Sequence, residues 1–345
     1  MNIGIIGAGS WGTALAIHLR RLGHRIRVWV HGEETFTLLQ QHRENTLYLP
    51  GIALPDGITF TRHPEALLHS DPDCVILAVP SRFARSTLRL FQSAWNRLKT
   101  PPVVVSAIKG IESDTLATMT EVIHQEWPHL PDDHLLVLSG PSFAREVAEQ
   151  KPTAIVIAGP SEPINRDIQR VFHGRNLRVY RNTDRRGVEL GGAMKNVIAL
   201  AAGMVTGAQL GHNALAALIT RGLVEMVRLG TAMGALPETF YGLSGIGDLV
   251  LTCTGPLSRN RMVGYRLGLG ESLSQIMEGF RMAVEGIPTT RALYRWAQQH
   301  GIETPIIQAV YRVLYEDEPL VRALRRLLER PMKPEHPLPS EETVQ

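Results

Sequence analysis

Cysteine is scarce in this chain, which carries only Cys74 and Cys253 among its 345 residues. Two cysteines do not make a disulfide framework in a chain of this length, and no Cys-X-X-Cys pair offers a metal site. No apolar run stands out as long enough to span a membrane, and Met1 leads straight into a strand-like segment rather than a signal peptide. These absences predict a reduced, cytoplasmic protein with no metal and no membrane insertion.

A strong charge of either sign is also lacking, since 36 basic and 33 acidic side chains leave a formal net charge of +3. That small excess gives no argument for a nucleic-acid partner. Hydrophobic residues make up 44% and charged residues 20%, the composition of an ordinary globular protein. The length is too great for one ordinary core and suits two domains.

The first strand-like run, Ile3 to Ile6, ends in a glycine-rich turn, Gly7-Ala8-Gly9-Ser10-Trp11-Gly12. Helical spacing and a second strand-like run follow. This order predicts a dinucleotide-binding turn, in which Gly7 makes the bend, Gly9 admits a pyrophosphate and Gly12 lets the helix pack closely. The alternative is a glycine-rich turn that binds nothing.

An acid is missing from the place where NAD-binding folds usually carry one, near the end of the second strand. That place reads Val30-His31-Gly32, and Glu33-Glu34 is expected to open the next helix. Without a carboxylate, nothing repels the 2′-phosphate of NADP, and His31 or the arginines at the strand start, Arg25 and Arg27, can add positive charge. We predict NADP or NAD as the cofactor, with NADPH used at least as well as NADH. The alternative is that His31 is merely exposed.

Strand patterns recur at 73–79, 103–107, 135–138, 153–158 and 177–180, with helical patterns between them. Near-continuous apolar strands that alternate with helices predict an α/β, Rossmann-like domain with a mostly parallel sheet. Ligands bind beyond the carboxyl ends of such strands. The segments at those ends are Pro80-Ser81, Lys109-Gly110 and Gly140-Pro141-Ser142. We therefore expect Lys109 to face the ligand crevice, the alternative being a solvated loop lysine.

Strand patterns stop near residue 184, after which the chain is helical and rich in small and aliphatic residues. We predict a dinucleotide-binding domain over 1–188, an all-α substrate and catalytic domain over 189–330, and a disordered, proline-rich tail over 331–345. A site between the two domains is a usual arrangement for an enzyme.

Lys195 stands in the apolar helical segment LGGAMKNVIALAAG, where a cation is costly unless it has a partner. Asp248, between apolar stretches, is the natural partner, although it could instead cap a helix. Ser258 is a candidate N-cap, after which Arg259 and Asn260 can hold an anion at the helix start. The alternative for these three residues is a solvated helix start.

The chain also contains a longer series of segments in a fixed order. They are GAGSWGTALA near the start, NTLYLPG at 45–51, SGPSFAREV at 139–147, GGAMKNVIALAAGM at 191–204, NALAALITRGLVEM at 213–226, GIGDLVLTC at 245–253, SRNR at 258–261 and VEGIPTT at 284–290. Together they closely resemble the bacterial NAD(P)-dependent glycerol-3-phosphate dehydrogenase family over nearly the whole chain. The resemblance implies reversible reduction of dihydroxyacetone phosphate to sn-glycerol 3-phosphate for phospholipid synthesis.

The resemblance further implies a role for each matched residue. Lys195 would be the general acid/base at the reacting carbonyl, with Lys109 and Asp248 completing the catalytic set. The implied substrate contacts are Lys109, Gly140, Ser142, Lys195, Asn196, Asp248, Thr252, Ser258, Arg259 and Asn260. The implied cofactor contacts are Gly7, Gly9, Ser10, Trp11, Gly12, His31, Lys109, Ala144, Arg259, Ala283 and Glu285.

Two other functions stay open. A related dehydrogenase could act on another hydroxyacid or sugar phosphate, and a dinucleotide-sensing protein could bind the cofactor without turnover. The Ser258-Arg259-Asn260 segment argues against the first, and the presence of both Lys195 and Lys109 argues against the second. A homodimer is also expected.

Overall fold

The computed structural model describes residues 1–69, 71–279, 282–332 and 334–335. The predicted tail at 331–345 therefore lies mostly outside the described residues. Within them, every named strand ends before residue 183, and a helix begins at Arg185 and runs across residue 188. The division into two domains at that point stays a prediction.

One eight-stranded sheet forms the amino-terminal part of the described chain. Its strands are β1 (Asn2–Ile6), β2 (Arg25–Trp29), β3 (Ile58–Thr61), β4 (Cys74–Leu77), β5 (Val103–Ser106), β6 (Leu135–Ser139), β7 (Thr153–Ala158) and β8 (Leu177–Asn182). Their spatial order is β3-β2-β1-β4-β5-β6-β7-β8, and every neighbouring pair is parallel except β6 with β7. The strand order reverses between β1 and β4, the kind of point at which such sheets bind ligands. The predicted α/β fold with a mostly parallel sheet is confirmed.

Helices cover both faces of this sheet. They are α1 (Ser10–Arg21), α2 (Glu33–His42), α3 (Pro64–Leu68), α4 (Ala84–Trp95), α5 (Met119–Glu126), α6 (Ala144–Ala148) and α7 (Glu162–Phe172). Successive side chains of a strand point to opposite faces, so Ile3 and Ile5 join a core with Leu15 while Ile6 joins another with Phe91. The prediction that the second helix opens at Glu33 is confirmed.

β3 is a strand that the sequence pattern did not predict. It has four residues at the sheet edge, with Ile58 and Thr61 buried and the residues between them more exposed. So short an edge strand lacks the continuous apolar run that identifies a central one. It pairs with β2 in parallel, Thr61 opposite Trp29. This register brings Arg62 beside the carboxyl end of β2.

The carboxyl-terminal part of the described chain is helical. Its helices are α8 (Arg185–Gly207), α9 (Gly211–Ala232), α10 (Asp248–Thr254), α11 (Arg259–Gly268), α12 (Leu273–Glu278), α13 (Gly286–Gln299), α14 (Pro305–Tyr315) and α15 (Leu320–Leu328). α8 lies at the centre, and its backbone touches that of α11. A Cβ on Gly203 would lie 2.1 Å from the Arg261 carbonyl oxygen, and one on Gly264 would lie 2.0 Å from that of Leu200. These glycines bring the start of α11 against the middle of α8.

Among the described residues, α8 is the helix long and apolar enough to cross a membrane, with a mean hydropathy of 1.3 over its most apolar window. This corrects the prediction that no segment has the necessary length. However, 94% of that window is buried inside the protein, as in the core helix of a globular fold. Length and composition here are therefore weak grounds for a membrane span.

Candidate active site

Lys195 lies midway along α8 and is 6% exposed. Its Nζ donates to Asp248 Oδ1 at 2.7 Å and to Thr252 Oγ1 at 2.9 Å. The Thr252 hydroxyl in turn donates to the Asp248 carbonyl oxygen at 2.6 Å. The predicted partnership of Lys195 with Asp248 is therefore present, and it supplies the compensation that a buried cation requires.

Asp248 binds a second lysine as well as the first. Its Oδ2 accepts from Lys109 Nζ at 2.8 Å, and Lys109 also donates to the Gly140 carbonyl oxygen at 3.0 Å. Gly192 of α8 permits this approach, because a Cβ there would lie 2.6 Å from Ser139 Oγ and 3.7 Å from Lys109 Cγ. Lys109 is thus not a solvated loop lysine, and the carboxylate of Asp248 is buried rather than a helix cap.

This cluster of two cations and one anion perturbs its own titration. Burial lowers the pKa of Lys195 to about 8; the negative charge of Asp248 opposes that shift and the positive charge of Lys109 adds to it. Burial also pushes the pKa of Asp248 upward, but the two lysines outweigh it and hold that pKa below its ordinary value. Asp248 is therefore ionised, and Lys195 can gain and lose a proton near neutral pH.

Two asparagine side chains join α8 to α11. Asn260 Nδ2 donates to Asn196 Oδ1 at 2.8 Å, and Asn260 Oδ1 accepts from the Gly286 backbone at 2.9 Å. Asn196 Nδ2 reaches the Lys109 carbonyl oxygen at 3.3 Å. Both ends of the Asn260 amide thus make internal hydrogen bonds. The Asn196–Asn260 bond also sets the pair Lys195-Asn196 beside the pair Arg259-Asn260.

Arg259 is the first residue of α11 and is partly buried. Its guanidinium makes no hydrogen bond or ion pair with the rest of the described chain. Burial lowers the pKa of Arg259, and the charge of Glu285 acts in the opposite direction. Ser258 caps the helix, its Oγ accepting from the Arg261 backbone at 3.2 Å, which matches the predicted N-cap. An unpaired guanidinium at a helix start is suited to an anion.

Glu285 lies against two of the strand-end segments. Its Oε1 accepts from the Ser81 backbone at 2.9 Å, and its Oε2 accepts from the Ser81 hydroxyl. A Cβ on Gly110 would lie 2.6 Å from Ser81 Oγ and 2.8 Å from Glu285 Oε2. The sequence pattern pointed to the strand end at Ser81 without assigning it a partner. Burial raises the pKa of Glu285, against the effect of its Ser81 hydrogen bonds.

The segment after β6 forms the wall next to Lys109. Gly140 has a φ of 123°, and its carbonyl oxygen accepts from Ser142 Oγ at 2.8 Å as well as from Lys109. Ala144 begins α6 two residues later. Gly140 thus contacts Lys109 and Ser142 contacts Gly140, while their contact with a substrate stays a prediction.

The glycine-rich turn after β1 has the shape expected of a phosphate-binding loop. Gly7 has a φ of 116°, and a Cβ on Gly12 would lie 2.0 Å from the Gly7 carbonyl oxygen. By contrast, a Cβ on Gly9 would meet nothing within 4 Å. No side chain caps α1, and its first turn carries no acid. The turn therefore offers free space and free backbone N–H groups, which fit a pyrophosphate.

The segment at 45–51 braces this turn. Asn45 Nδ2 donates to the Ala8 carbonyl oxygen at 2.9 Å and to Thr13 Oγ1 at 2.7 Å. Ser10 Oγ donates to the Tyr48 carbonyl oxygen at 2.7 Å. The buried Trp11 Nε1 has no hydrogen-bond partner among the described residues. Ser10 and Trp11 thus lie in the first turn of α1, next to the glycine-rich turn, and their contact with a cofactor stays a prediction.

The end of β2 corrects one part of the cofactor prediction. Val30 is 1% exposed and belongs to the core, whereas His31 is exposed with its ring centroid 5.6 Å from that of Trp29. Arg25 is the first residue of the strand and Arg27 the middle one, and Arg27 donates to the Ala66 carbonyl oxygen. Neither arginine can supply charge at the carboxyl end.

Ala283 lies two residues before Glu285 and is partly buried. Among the described residues, no group of three or more His, Cys, Asp or Glu side chains is arranged to hold a metal ion.

Cys74 and Cys253 are both buried and free. Burial raises the pKa of Cys253, next to Thr252, to about 12, so its thiol is a neutral neighbour of the lysine cluster.

Two family models match the chain in succession. The amino-terminal model of NAD-dependent glycerol-3-phosphate dehydrogenase matches residues 2–164, and the carboxyl-terminal model matches residues 184–325. The chain belongs to this family. The match covers strands β1 to β7 with the glycine-rich turn, and the helices that carry Lys195, Asp248 and Arg259.

Individual relatives of the chain carry the name of the same family. The chain is 48% identical to glycerol-3-phosphate dehydrogenase [NAD(P)+] of Geobacter sp. (strain M21), over 97% of this chain and 98% of the relative. It is 49% identical, over the same shares, to the enzyme of that name from Geobacter metallireducens. The crystal structure of glycerol-3-phosphate dehydrogenase from Coxiella burnetii superimposes with a TM-score of 0.90 at 38% identity, over 95% of this chain and 99% of that one. A D-mandelate dehydrogenase structure with NADH, 13% identical with a TM-score of 0.59, shares the fold alone.

Gly9 and Gly12 of the glycine-rich turn have different surroundings, and this difference leads to a prediction. The Gly9→Ala variant should fold normally, since Gly9 has a φ of -73° and open space around its Cα. It should weaken dinucleotide binding by roughly tenfold or more, because the new methyl group occupies the space that the dinucleotide needs. Gly12→Ala should instead destabilise the protein by about 1–3 kcal/mol through its clash with Gly7. Thermal unfolding and fluorescence titration with NADPH measure the two effects. Equal losses of stability in both variants would contradict this division.

Proposed function

We propose that this chain catalyses the reversible, NAD(P)H-dependent reduction of dihydroxyacetone phosphate to sn-glycerol 3-phosphate, which feeds glycerophospholipid synthesis. The observation that carries the proposal is the buried cluster in which one carboxylate, Asp248, holds Lys195 and Lys109. The cluster retains one net positive charge, which suits a carbonyl oxygen that becomes an alkoxide. The unpaired guanidinium of Arg259, joined to the cluster through Asn196 and Asn260, suits the substrate phosphate.

In this mechanism Lys195 is the general acid. The reduced nicotinamide, when bound, supplies the hydride that adds to the substrate carbonyl carbon. Lys195 donates a proton from Nζ to the carbonyl oxygen, and the neutral amine that remains regains a proton from solvent. Asp248 fixes the direction of that Nζ, and Lys109 contributes positive charge beside the oxygen. In the oxidation direction, neutral Lys195 accepts the hydroxyl proton.

The proposal includes further substrate contacts near this cluster. Arg259 pairs with the phosphate, aided by the start of α11. The other proposed substrate contacts are Gly140, Ser142, Asn196, Thr252, Ser258 and Asn260. For Asn260 the internal hydrogen bonds support an indirect contribution, in which it holds Asn196 and Gly286 in place. The space at Gly9 supports the proposed cofactor contacts, which are Gly7, Gly9, Ser10, Trp11, Gly12, His31, Lys109, Ala144, Arg259, Ala283 and Glu285.

The decisive test is oxidation of NADPH with dihydroxyacetone phosphate, followed by the loss of nicotinamide absorbance. We expect turnover with this substrate and far less with 2-ketoacids or with other sugar phosphates. Turnover of another ketone in preference would indicate a dehydrogenase of another hydroxyacid or sugar phosphate. Cofactor binding with no turnover of any ketone would indicate a dinucleotide sensor.

The lowered pKa of Lys195 predicts opposite pH profiles in the two directions. Ketone reduction needs the protonated amine, so kcat/KM should be level below about pH 8 and fall above it. Alcohol oxidation needs the neutral amine, so its kcat/KM should rise up to about the same pH and then level off. Rates at constant ionic strength measure both profiles. A reduction profile that stays level through about pH 9 would contradict the role of Lys195.

The assembly and location of the enzyme are part of the same proposal. We propose a homodimer in the cytoplasm, without nucleic-acid partners or membrane insertion. Partly exposed apolar side chains on α9, such as Leu215, Ile219 and Leu223, support self-association. Light scattering on the purified protein tests this, since a dimer has twice the 38.2 kDa mass of the chain.

A further inference from the structure

We propose that Arg62, at the end of the edge strand β3, recognises the 2′-phosphate of NADPH and so sets the preference of this enzyme for NADPH over NADH. This inference rests on the proposed function and adds a residue that determines cofactor choice. No acid stands at the carboxyl end of β2 itself, which presents His31, and the nearest acid along the chain after it, Glu33, opens α2. The structure adds the cation that the sequence pattern did not reveal there.

The pairing of β2 with β3 places Arg62 at this position. Thr61 lies opposite Trp29, and the Val30 backbone N–H donates to the Thr61 carbonyl oxygen at 2.9 Å. Trp29 Nε1 donates to the Arg62 carbonyl oxygen at 3.1 Å, and the Trp29 ring lies 5.6 Å from the His31 ring. The buried indole therefore anchors the Arg62 backbone and lies beside the imidazole of His31. The two side chains that can be positive here sit at the ends of adjacent parallel strands.

The charge of Arg62 is available to a ligand. Its Nη1 lies 3.3 Å from Glu33 Oε2, and the two side chains are 40% and 79% exposed. An ion pair this exposed is weak, because water and salt screen its charges. The guanidinium makes no other hydrogen bond or ion pair within the described chain. A phosphate dianion, which can accept two parallel hydrogen bonds from a guanidinium, competes well against such a carboxylate.

The neighbouring arginines are occupied or lie elsewhere. Arg27 donates to the Ala66 carbonyl oxygen, and Arg43 donates to the carbonyl oxygens of Ile58 and Pro55. Arg25 is exposed at the amino end of β2, four residues before Trp29 and therefore roughly 13 Å from the strand end. Of these arginines, Arg62 is the one at the carboxyl end with a weakly held side chain.

The test measures binding of NADPH and NADH to the enzyme without substrate, by titration of nicotinamide fluorescence. The two dinucleotides differ in the 2′-phosphate alone. Arg62→Ala should raise the Kd for NADPH about tenfold and leave the Kd for NADH within about twofold. Arg62→Lys should restore part of the loss, since a point charge replaces the planar fork. Arg25→Ala removes the same charge from the opposite end of the strand and should change neither Kd.

A second variant separates recognition from a structural role. Glu33→Gln removes the carboxylate that competes for Arg62, so it should tighten NADPH binding and not weaken it. Equal changes for NADPH and NADH in Arg62→Ala, or no change in either, would overturn the assignment. An NADPH Kd that equals the wild-type value in both Glu33→Gln and Arg62→Ala would also overturn the assignment. Failure of the proposed function would look different, because the wild type would then bind both dinucleotides without reducing dihydroxyacetone phosphate.

Discussion

Lys195→Met is expected to lower kcat for reduction of dihydroxyacetone phosphate by roughly 10²–10⁴-fold, the usual contribution of a positioned general acid. The substitution removes the proton donor and also the positive charge next to the developing alkoxide. Methionine keeps most of the side-chain length and suits the apolar interior of α8. Asp248 retains Lys109 at 2.8 Å, so its buried carboxylate is not left unpaired. The variant should therefore fold.

Three measurements isolate the chemical role of Lys195 from folding and binding. The Kd for NADPH should stay near the wild-type value, because the proposed cofactor contacts lie largely on the sheet and its turns. The thermal midpoint should change little. Lys151→Met, which removes an exposed lysine paired with Glu149, should leave kcat unchanged. If Lys195→Met keeps turnover within about tenfold of wild type while folded, another group must protonate the alkoxide.

The central pair of the site could be predicted from residue chemistry alone. A lysine within an apolar helix requires an anion, and Asp248 stands between apolar stretches, so a partnership of Lys195 with Asp248 follows from the cost of burying charge. The sharing of that carboxylate with Lys109 could not be predicted in the same way. It depends on the ends of β5 and β6 meeting α10, and on Gly192 letting α8 come close.

The proposed cofactor site at the end of β2 shows where local sequence patterns fail to predict which charged side chains are present. The position at which the sequence pattern expects an acid falls on Val30, which the fold buries. Of the arginines nearest along the chain, Arg25 lies at the amino end of the strand, and Arg27, in its middle, donates to the Ala66 carbonyl oxygen. Arg62 is more than thirty positions away from its neighbour in space, Trp29, and reaches it through an edge strand with a weak apolar signal. Pairing between strands distant in sequence is not encoded in periodicity.

Asn260 illustrates a further limit. Its place after Ser258-Arg259 suggests a direct contact with an anion, and the helix cap at Ser258 is present as predicted. The direct contact stays a prediction, and the side-chain amide also bonds Asn196 and the Gly286 backbone. A local pattern cannot show that an asparagine will be used to join three segments, because the partners come from helices far apart in the chain.

Arg259→Ala is expected to raise the KM for dihydroxyacetone phosphate by roughly a hundredfold, the loss of about 3 kcal/mol that truncating one side of a desolvated charge pair causes. The guanidinium is partly buried at the start of α11 and, among the described residues, has no hydrogen-bond or ion-pair partner. The acid nearest to it by charge, Glu285, keeps its hydrogen bonds from the Ser81 backbone and hydroxyl when Arg259 is removed. Folding should therefore survive.

Unphosphorylated dihydroxyacetone decides what Arg259 does. That ketone lacks the phosphate that Arg259 binds, so with NADPH saturating in both proteins its kcat/KM should be nearly equal in wild type and Arg259→Ala. The two substrates should therefore differ much less in the variant. Arg266→Ala provides a matched control, because Arg266 lies on the same helix but pairs with Glu271 near its other end. The control should leave both substrates unaffected. Proportional losses on both ketones in Arg259→Ala would instead assign the guanidinium to cofactor binding through its position beside Glu285, and the phosphate would then need another cation.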